Sequence, residues 1–178
     1  MADGKTGALF EMIIRMMQFF STANWPIEEL FQLSTSLGRW YQVRDDYQSL
    51  QDEHYISQKG FCEDLDEGKL SYPLIVCCHR DSTAEKIIMG IFRQAGGRPL
   101  AVNVKEQILD LYRRTGALEE TWETIETLKR STETALSRFE SITGEKNVDL
   151  RAFVNAFGPC ITTPGVKANG PQLMSMRS

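Results

Sequence analysis

The chain has 178 residues and a formal net charge of −4, with 42% hydrophobic and 25% charged residues, as is typical of one globular domain with its own core. The acidic balance and the lack of a basic stripe give no electrostatic reason to expect nucleic acid as a partner. The longest apolar run, residues 12–20, is interrupted by Arg15 and Gln18 and is too short to span a bilayer.

Apolar residues recur with the 3.6-residue helical period along most of the chain, which predicts an all-α protein. The first helix is predicted over residues 5–20. It is apolar around nearly its whole circumference, so we expect it to be central, with other helices packed around it. Pro26 is typical of a first helical turn and predicts a second helix that ends near residue 50.

A loop rich in glycine and charge is expected from about residue 53 to residue 71. Later helices are predicted over residues 73–78, 82–94, 104–114, 118–142 and 149–157, with Asp81 or Ser82, and then Asp149, as N-caps. We expect one helical domain over residues 1–157. Residues 158–178 contain three prolines and little periodicity and are expected to form a disordered tail. The four cysteines show no CxxC spacing, so reduced thiols and a cytoplasmic location are expected.

The second predicted helix carries an adjacent pair of aspartates, Asp45 and Asp46. Gln42 and Ser49 share their polar arc on a helical wheel, and large apolar residues surround it. Two neighbouring carboxylates on a largely buried helix repel each other and are costly to desolvate unless a cation compensates them. Magnesium is one such cation, since it binds one or two carboxylates together with substrate phosphates. The alternative is a solvated face on which Arg44 is the local partner.

Lysines provide counter-charge in the loop and at the N-terminus. Lys59 and Lys69 bracket an acidic run, each next to a glycine that gives the backbone freedom to fold over a ligand. The alternative is a solvated loop whose charges pair with each other. Lys5 and Thr6 lead into the first predicted helix, where free amides and a lysine suit an anion, although the segment is also an ordinary polar helix start.

Together these motifs resemble the trans-prenyl diphosphate synthases, most closely the eukaryotic geranylgeranyl diphosphate synthase type. The matching stretches follow the family's order and spacing and are KTGALF (5–10), LGRWYQVRDDYQSL (37–50) and KGFCEDLDEGKLSYP (59–73). The resemblance implies an all-α helical bundle of the isoprenoid synthase type. It also implies a transferase of isoprenoid and terpenoid biosynthesis that uses Mg²⁺ to condense isopentenyl diphosphate with an allylic diphosphate.

The resemblance implies a role for each matching polar residue. The metal ligands are implied to be Asp45, Asp46 and Ser49, of which Ser49 is a weaker oxygen ligand than the Asp or Asn of many members. The residues that contact the allylic diphosphate are implied to be Lys5, Thr6, Gln42, Lys59 and Lys69. No catalytic residue is implied beyond these ligands.

The family's first aspartate-rich motif, DDxxD or similar, precedes the KTG segment, and this sequence contains no such motif. The chain therefore resembles only the C-terminal half of the family, with the N-terminal helices missing. We expect a fragment of a longer reading frame that is inactive alone and exposes an apolar patch on its first helix. One alternative is a non-catalytic or decayed relative that forms a homodimer or pairs with a full-length synthase. A terpene cyclase ranks lower, because KTG and the loop lysines favour chain elongation.

Overall fold

The computed structural model describes residues 8–21, 25–51 and 61–156, and these residues form eight helices and no strand. The all-α prediction is therefore confirmed. The helices are α1 (Ala8–Phe20), α2 (Ile27–Gln51), α3 (Glu63–Asp66), α4 (Tyr72–Arg80), α5 (Ser82–Ala95), α6 (Val102–Thr115), α7 (Ala117–Thr143) and α8 (Val148–Ala156). In these ranges, no helix is both long enough and apolar enough to cross a membrane. The predicted tail over residues 158–178 lies outside the described residues.

Several predicted helix boundaries coincide with capping groups. The Oδ1 atom of Asp81 accepts a hydrogen bond from the Thr83 N–H at 2.8 Å, so the predicted N-cap of α5 is confirmed. Three helices end at a glycine in the left-handed region, with φ of 58° at Gly96, 69° at Gly116 and 74° at Gly144. Only glycine adopts this conformation without strain, which explains why the glycine positions marked the helix ends.

The antiparallel pair of α2 and α7 forms the centre of the fold and has the most extensive helix–helix contact in the described part. At one end Tyr47 packs on Trp122 with ring centroids 5.8 Å apart, and at the other Trp25 stacks on Phe139 at 6.4 Å. The α4 helix packs against both members of this pair. The C-terminal half of α2 is therefore held between α7 and α4, which is where its aspartates lie.

The first helix is peripheral, not central. None of its residues is buried, and its main packing partner is α2. Seven large apolar side chains are 42–83% exposed, namely Leu9, Met12, Ile13, Met16, Met17, Phe19 and Phe20. The expected apolar patch is confirmed, and the expected central position is wrong for the described residues. A helix that is apolar on all sides favours burial, but it is buried only if other helices are present to cover it.

The described part of the loop before α4, residues 61–71, is folded and partly buried. It contains the short helix α3, and two of its side chains are in the core, with Cys62 0% and Leu65 1% exposed. These apolar anchors explain why this segment is folded, because burying them fixes the backbone between the charged residues.

The N-cap of α8 is Asn147, whose Oδ1 accepts a hydrogen bond from the Leu150 N–H at 2.9 Å. The prediction that Asp149 is the cap is wrong, since Asp149 is the second residue of the helix. Glu140 of α7 accepts a bond from the Asn147 N–H at 2.9 Å and pairs with the guanidinium of Arg151. The cap therefore lies two residues earlier than expected, because Asn147 is held there by α7.

Candidate functional site

The carboxylate of Asp46 is the centre of a polar cluster at the C-terminal half of α2. Asp46 is only 4% exposed, yet both of its oxygens have donors. Its Oδ1 accepts from Gln42 Nε2 at 2.9 Å and from Lys69 Nζ at 3.1 Å. Its Oδ2 accepts from the Tyr72 N–H at 2.8 Å. These donors offset the cost of burying the charge.

The bond to Tyr72 also places Asp46 at the N-terminus of α4, where free amides and the helix dipole favour an anion. Ser71, the residue before this helix, makes no side-chain cap bond of its own. Asp46 therefore caps α4 from another helix. This contact explains in part how the Asp46 carboxylate can be buried, and it joins α2 to α4 at the site.

Lys69 lies between two carboxylates, with its Nζ 2.9 Å from Asp64 Oδ2 and 3.1 Å from Asp46 Oδ1. Burial by itself would lower the pKa of this ammonium. The hydrogen bond to Asp64 and the charge of Asp46 outweigh burial, so the pKa of Lys69 is raised above its ordinary value of 10.5. The group is a fixed cation at physiological pH. Its side chain is 31% exposed, which leaves it within reach of a ligand.

Lys69 makes one contact expected from each interpretation of the loop charges. Lys69 provides counter-charge to Asp46, as the site hypothesis requires, and it also pairs with Asp64 inside its own loop. For Asp46, the alternative of a solvated face is wrong, because this carboxylate is buried and bound to Lys69. Asp45 is partly buried beside it.

Ser49 lies on the same face of α2 as Asp46 and is 4% exposed. Its hydroxyl donates to the main-chain oxygen of Asp46 at 2.9 Å, so its proton is committed to the helix backbone. Gln42 lies one turn before Asp46 and bonds directly to it. The predicted arc of Gln42, Asp46 and Ser49 is therefore present on α2.

The donor set suits a magnesium ion whose shell is completed by a phosphate. Asp45 and Asp46 would supply two hard carboxylate groups, and magnesium usually takes one or two carboxylates from the protein. Across residues 8–21, 25–51 and 61–156, no three His, Cys, Asp or Glu side chains form a metal-binding group. A cation at Oδ1 of Asp46 would have to displace Lys69 from that oxygen. Lys69 could then keep its ion pair with Asp64, so the exchange leaves no bare charge.

Three predicted ligands, Lys5, Thr6 and Lys59, lie outside the described residues. Sequence reasoning missed two partners of the cluster, the Asp64 carboxylate and the Tyr72 amide. Pro73, in the first turn of α4, was the signal for the second of these, because proline marks a helix start and hence a set of free amides nearby.

Comparisons with known proteins agree with the motifs. A family model described as polyprenyl synthetase matches residues 1–112. The chain is 38% identical over 157 residues to sesterfisherol synthase of Neosartorya fischeri, covering 85% of the chain and 20% of that protein. It is 39% identical over 158 residues to bifunctional terpene synthase FUP1 of Fusarium proliferatum, covering 85% and 21%. It is 42% identical over 121 residues to geranylgeranyl pyrophosphate synthase 3 of Zymoseptoria tritici, covering 68% and 34%. The chain thus spans between a fifth and a third of the length of these relatives.

Proposed function

Because the chain belongs to the polyprenyl synthetase family, we propose that it contributes to prenyl transfer. The reaction is the condensation of isopentenyl diphosphate with an allylic diphosphate, as in a geranylgeranyl diphosphate synthase. The observation that carries this proposal is the buried Asp46 carboxylate, held between Gln42, Lys69 and the α4 amide. This arrangement keeps a carboxylate and a cation together where a metal–diphosphate complex would need both.

The residues of the site have distinct roles in the proposal. The proposed ligands of magnesium are Asp45, Asp46 and Ser49, and those of the allylic diphosphate are Lys5, Thr6, Gln42, Lys59 and Lys69. Lys69 shifts from Asp46 towards the diphosphate and stays near Asp64. Its ammonium then neutralises the charge that grows on the leaving oxygen. Magnesium, when bound, supplies further electrostatic stabilisation of that leaving group.

The allylic chain is apolar and needs a dry surface near the site. An open groove of about 610 Å³ runs along the N-terminal half of α2, between α1, the end of α7 and α8. Its walls include Ile14, Leu33, Leu37 and Phe139. This groove supports the proposal because one of its walls belongs to the helix that carries Asp46, with Leu37 the lining residue nearest to Asp46 along α2.

The chain alone is proposed to be inactive, because it contains no DDxxD motif that could hold further metal. We propose that residues 1–157 are the C-terminal part of the catalytic domain, that residues 158–178 are a tail, and that the protein acts in the cytoplasm. We propose that the chain pairs with a full-length synthase, which would supply a DDxxD motif, or that it forms a homodimer.

A second candidate function is favoured by the names of the relatives. Sesterfisherol synthase and the bifunctional terpene synthase each match 85% of the chain. The matched region is about a fifth of the length of each of these two proteins. In this candidate the stretch works inside a terpene synthase, and its products include cyclised terpenes. Gas chromatography of the products separates cyclic hydrocarbons from a linear prenyl diphosphate.

The first test is calorimetric binding of inorganic pyrophosphate to the purified chain with and without Mg²⁺. We expect magnesium-dependent binding. Asp46→Asn should weaken it about 10- to 100-fold, since a contact to a charged group contributes about 1.5–3 kcal/mol. Asp110→Asn, on the exposed face of α6, is the matched control and should bind as the wild type does. Equal affinity of wild type and Asp46→Asn would contradict the site assignment.

The second test concerns turnover. The chain alone, given farnesyl diphosphate and labelled isopentenyl diphosphate, should form no elongated product. The aligned 121 residues, grafted into the Zymoseptoria tritici synthase, should support elongation, and the same graft with Asp46→Asn should not. A folded graft without activity would refute the proposed elongation role.

A further inference from the structure

The loop segment that carries Asp64 and Lys69 is held by a buried ion pair from a different helix. Lys105, on α6, is 7% exposed. Its Nζ donates to Asp66 Oδ2 at 2.6 Å and to the main-chain oxygen of Phe61 at 2.7 Å. The other oxygen of Asp66 accepts from the Leu100 N–H at 2.7 Å. One ammonium therefore ties Phe61, which lies just before α3, to Asp66, the last residue of that helix.

The backbone between those two contacts is in a conformation that needs support. Cys62 has a φ of 51°, in the left-handed region that residues other than glycine rarely occupy. Such a conformation persists when the surrounding structure holds it. The carbonyl that Lys105 binds belongs to Phe61, the residue directly before this turn. The hydrogen bond from Lys105 to Phe61 therefore supports the left-handed conformation of Cys62.

The position of Lys69 depends on α3 and the residues that follow it. The Lys69 N–H donates to the main-chain oxygen of Asp64 at 2.9 Å, so the chain folds back on α3 after Gly68. The side chains of Lys69 and Asp64 are bonded as well. A shift of α3 would therefore move Asp64 and Lys69 together, and with them the partner of Asp46.

The placement of Lys105 is not explained by the stability of its own helix. It is the fourth residue of α6, and a cation near a helix N-terminus opposes the helix dipole. Exchanging a buried ion pair for apolar residues is often neutral or stabilising, and the best-attested use of such pairs is to define one arrangement. The unfavourable position in the helix dipole and the burial of the ion pair are therefore better explained by the contact of Lys105 with α3.

We propose that Lys105 and Asp66 are positioning residues for Lys69, which they hold against Asp46 without touching it themselves. The importance of this position for a diphosphate rests on the function proposed above. The position of Lys69 itself does not rest on it, and it can be measured without a ligand.

The experiment is competitive labelling of lysine amines in the full chain, read by peptide mass spectrometry. In the wild type, Lys69 should react slowly because two carboxylates hold its ammonium. In Lys105→Met and in Asp66→Asn we expect labelling of Lys69 to rise about tenfold, because its amine is then released from the hydrogen bonds that hold it against the two carboxylates. Lys105→Arg should restore the slow rate. Lys86→Met, an exposed site on α5, is the matched control and should leave Lys69 unchanged.

Two results would overturn the proposal. One is unchanged labelling of Lys69 in variants that still melt cooperatively. The other is a uniform rise at every lysine, including Lys86 and Lys129, since that would mean only a general loosening of the fold. Asp66→Asn keeps an oxygen for the Leu100 N–H, so it provides a folded variant if Lys105→Met does not fold.

Pyrophosphate binding with Mg²⁺ separates this inference from the function on which it builds. If the wild type does not bind, the proposed function fails, and the labelling still decides whether Lys105 positions Lys69. If the wild type binds, Lys105→Met should weaken the affinity and Lys105→Arg should recover it.

Discussion

Replacing Lys69 by methionine removes the cation of the site while keeping most of its unbranched side chain. The Asp46 carboxylate loses its ion pair but keeps the donors from Gln42 and the Tyr72 N–H. Asp64 loses the same partner. We therefore expect the variant to fold with lower stability, because two carboxylates then approach each other without a cation between them.

The size of the loss follows from how deeply the pair is buried. Exposed ion pairs contribute about 0–1 kcal/mol, and breaking a fully buried pair costs about 3–5 kcal/mol. Here the side chain of Asp46 is 6% exposed and that of Lys69 is 31% exposed, so the pair lies between these limits. The two remaining donors on Asp46 reduce the cost further. We expect a loss of about 2 kcal/mol in the free energy of unfolding near neutral pH.

The stability difference between wild type and Lys69→Met should depend on pH in one direction. The pKa of Lys69 is raised in the folded chain above its ordinary value of 10.5. A raised pKa means that the stabilisation is complete below 10.5 and is lost as the pH rises through the folded value. The difference between wild type and Lys69→Met should therefore be constant from neutral pH to about pH 10 and should shrink above it.

Urea denaturation at several pH values measures this difference. Lys86→Met is the control and should stay within about 0.5 kcal/mol of the wild type, as is usual for exposed positions. A Lys69→Met chain as stable as the wild type at neutral pH would refute the view that Lys69 compensates Asp46. So would a difference that grows with alkaline pH.

Two further predictions concern the ends of the bundle. The hydrogen bond from Arg151, helped by the Asn147 amide against the effect of burial, holds the pKa of Glu140 below its ordinary 4.5. Its stabilisation is present above pH 4.5 and lost below it, so Glu140→Gln should destabilise at neutral pH and match the wild type in acid, as measured by urea titration. Phe19 is 83% exposed on α1, so Phe19→Glu should reduce self-association without lowering the melting temperature. Sedimentation velocity and thermal melts check this, and unchanged association would rule out α1 as the contact surface.

The sequence by itself determined seven of the eight described helices, all except α3, and the candidate site residues on α2. Helix formation depends on neighbours three and four residues apart, so the periodicity and terminal signals such as Pro26 and Gly116 were sufficient. The same local spacing placed Gln42 beside Asp46 on α2, where the hydrogen bond between them is found. Lys69 was identified because its motif has a recognisable order.

Only the tertiary structure decided how those residues are used. The partner of Asp46 on α4 is 26 residues away in the sequence, and Lys105 is 39 residues from Asp66. Contacts over such separations depend on how helices pack, and no local pattern specifies them. Packing also decided that α1 lies at the edge of the described fold, since an apolar helix is covered only where other elements are available to cover it.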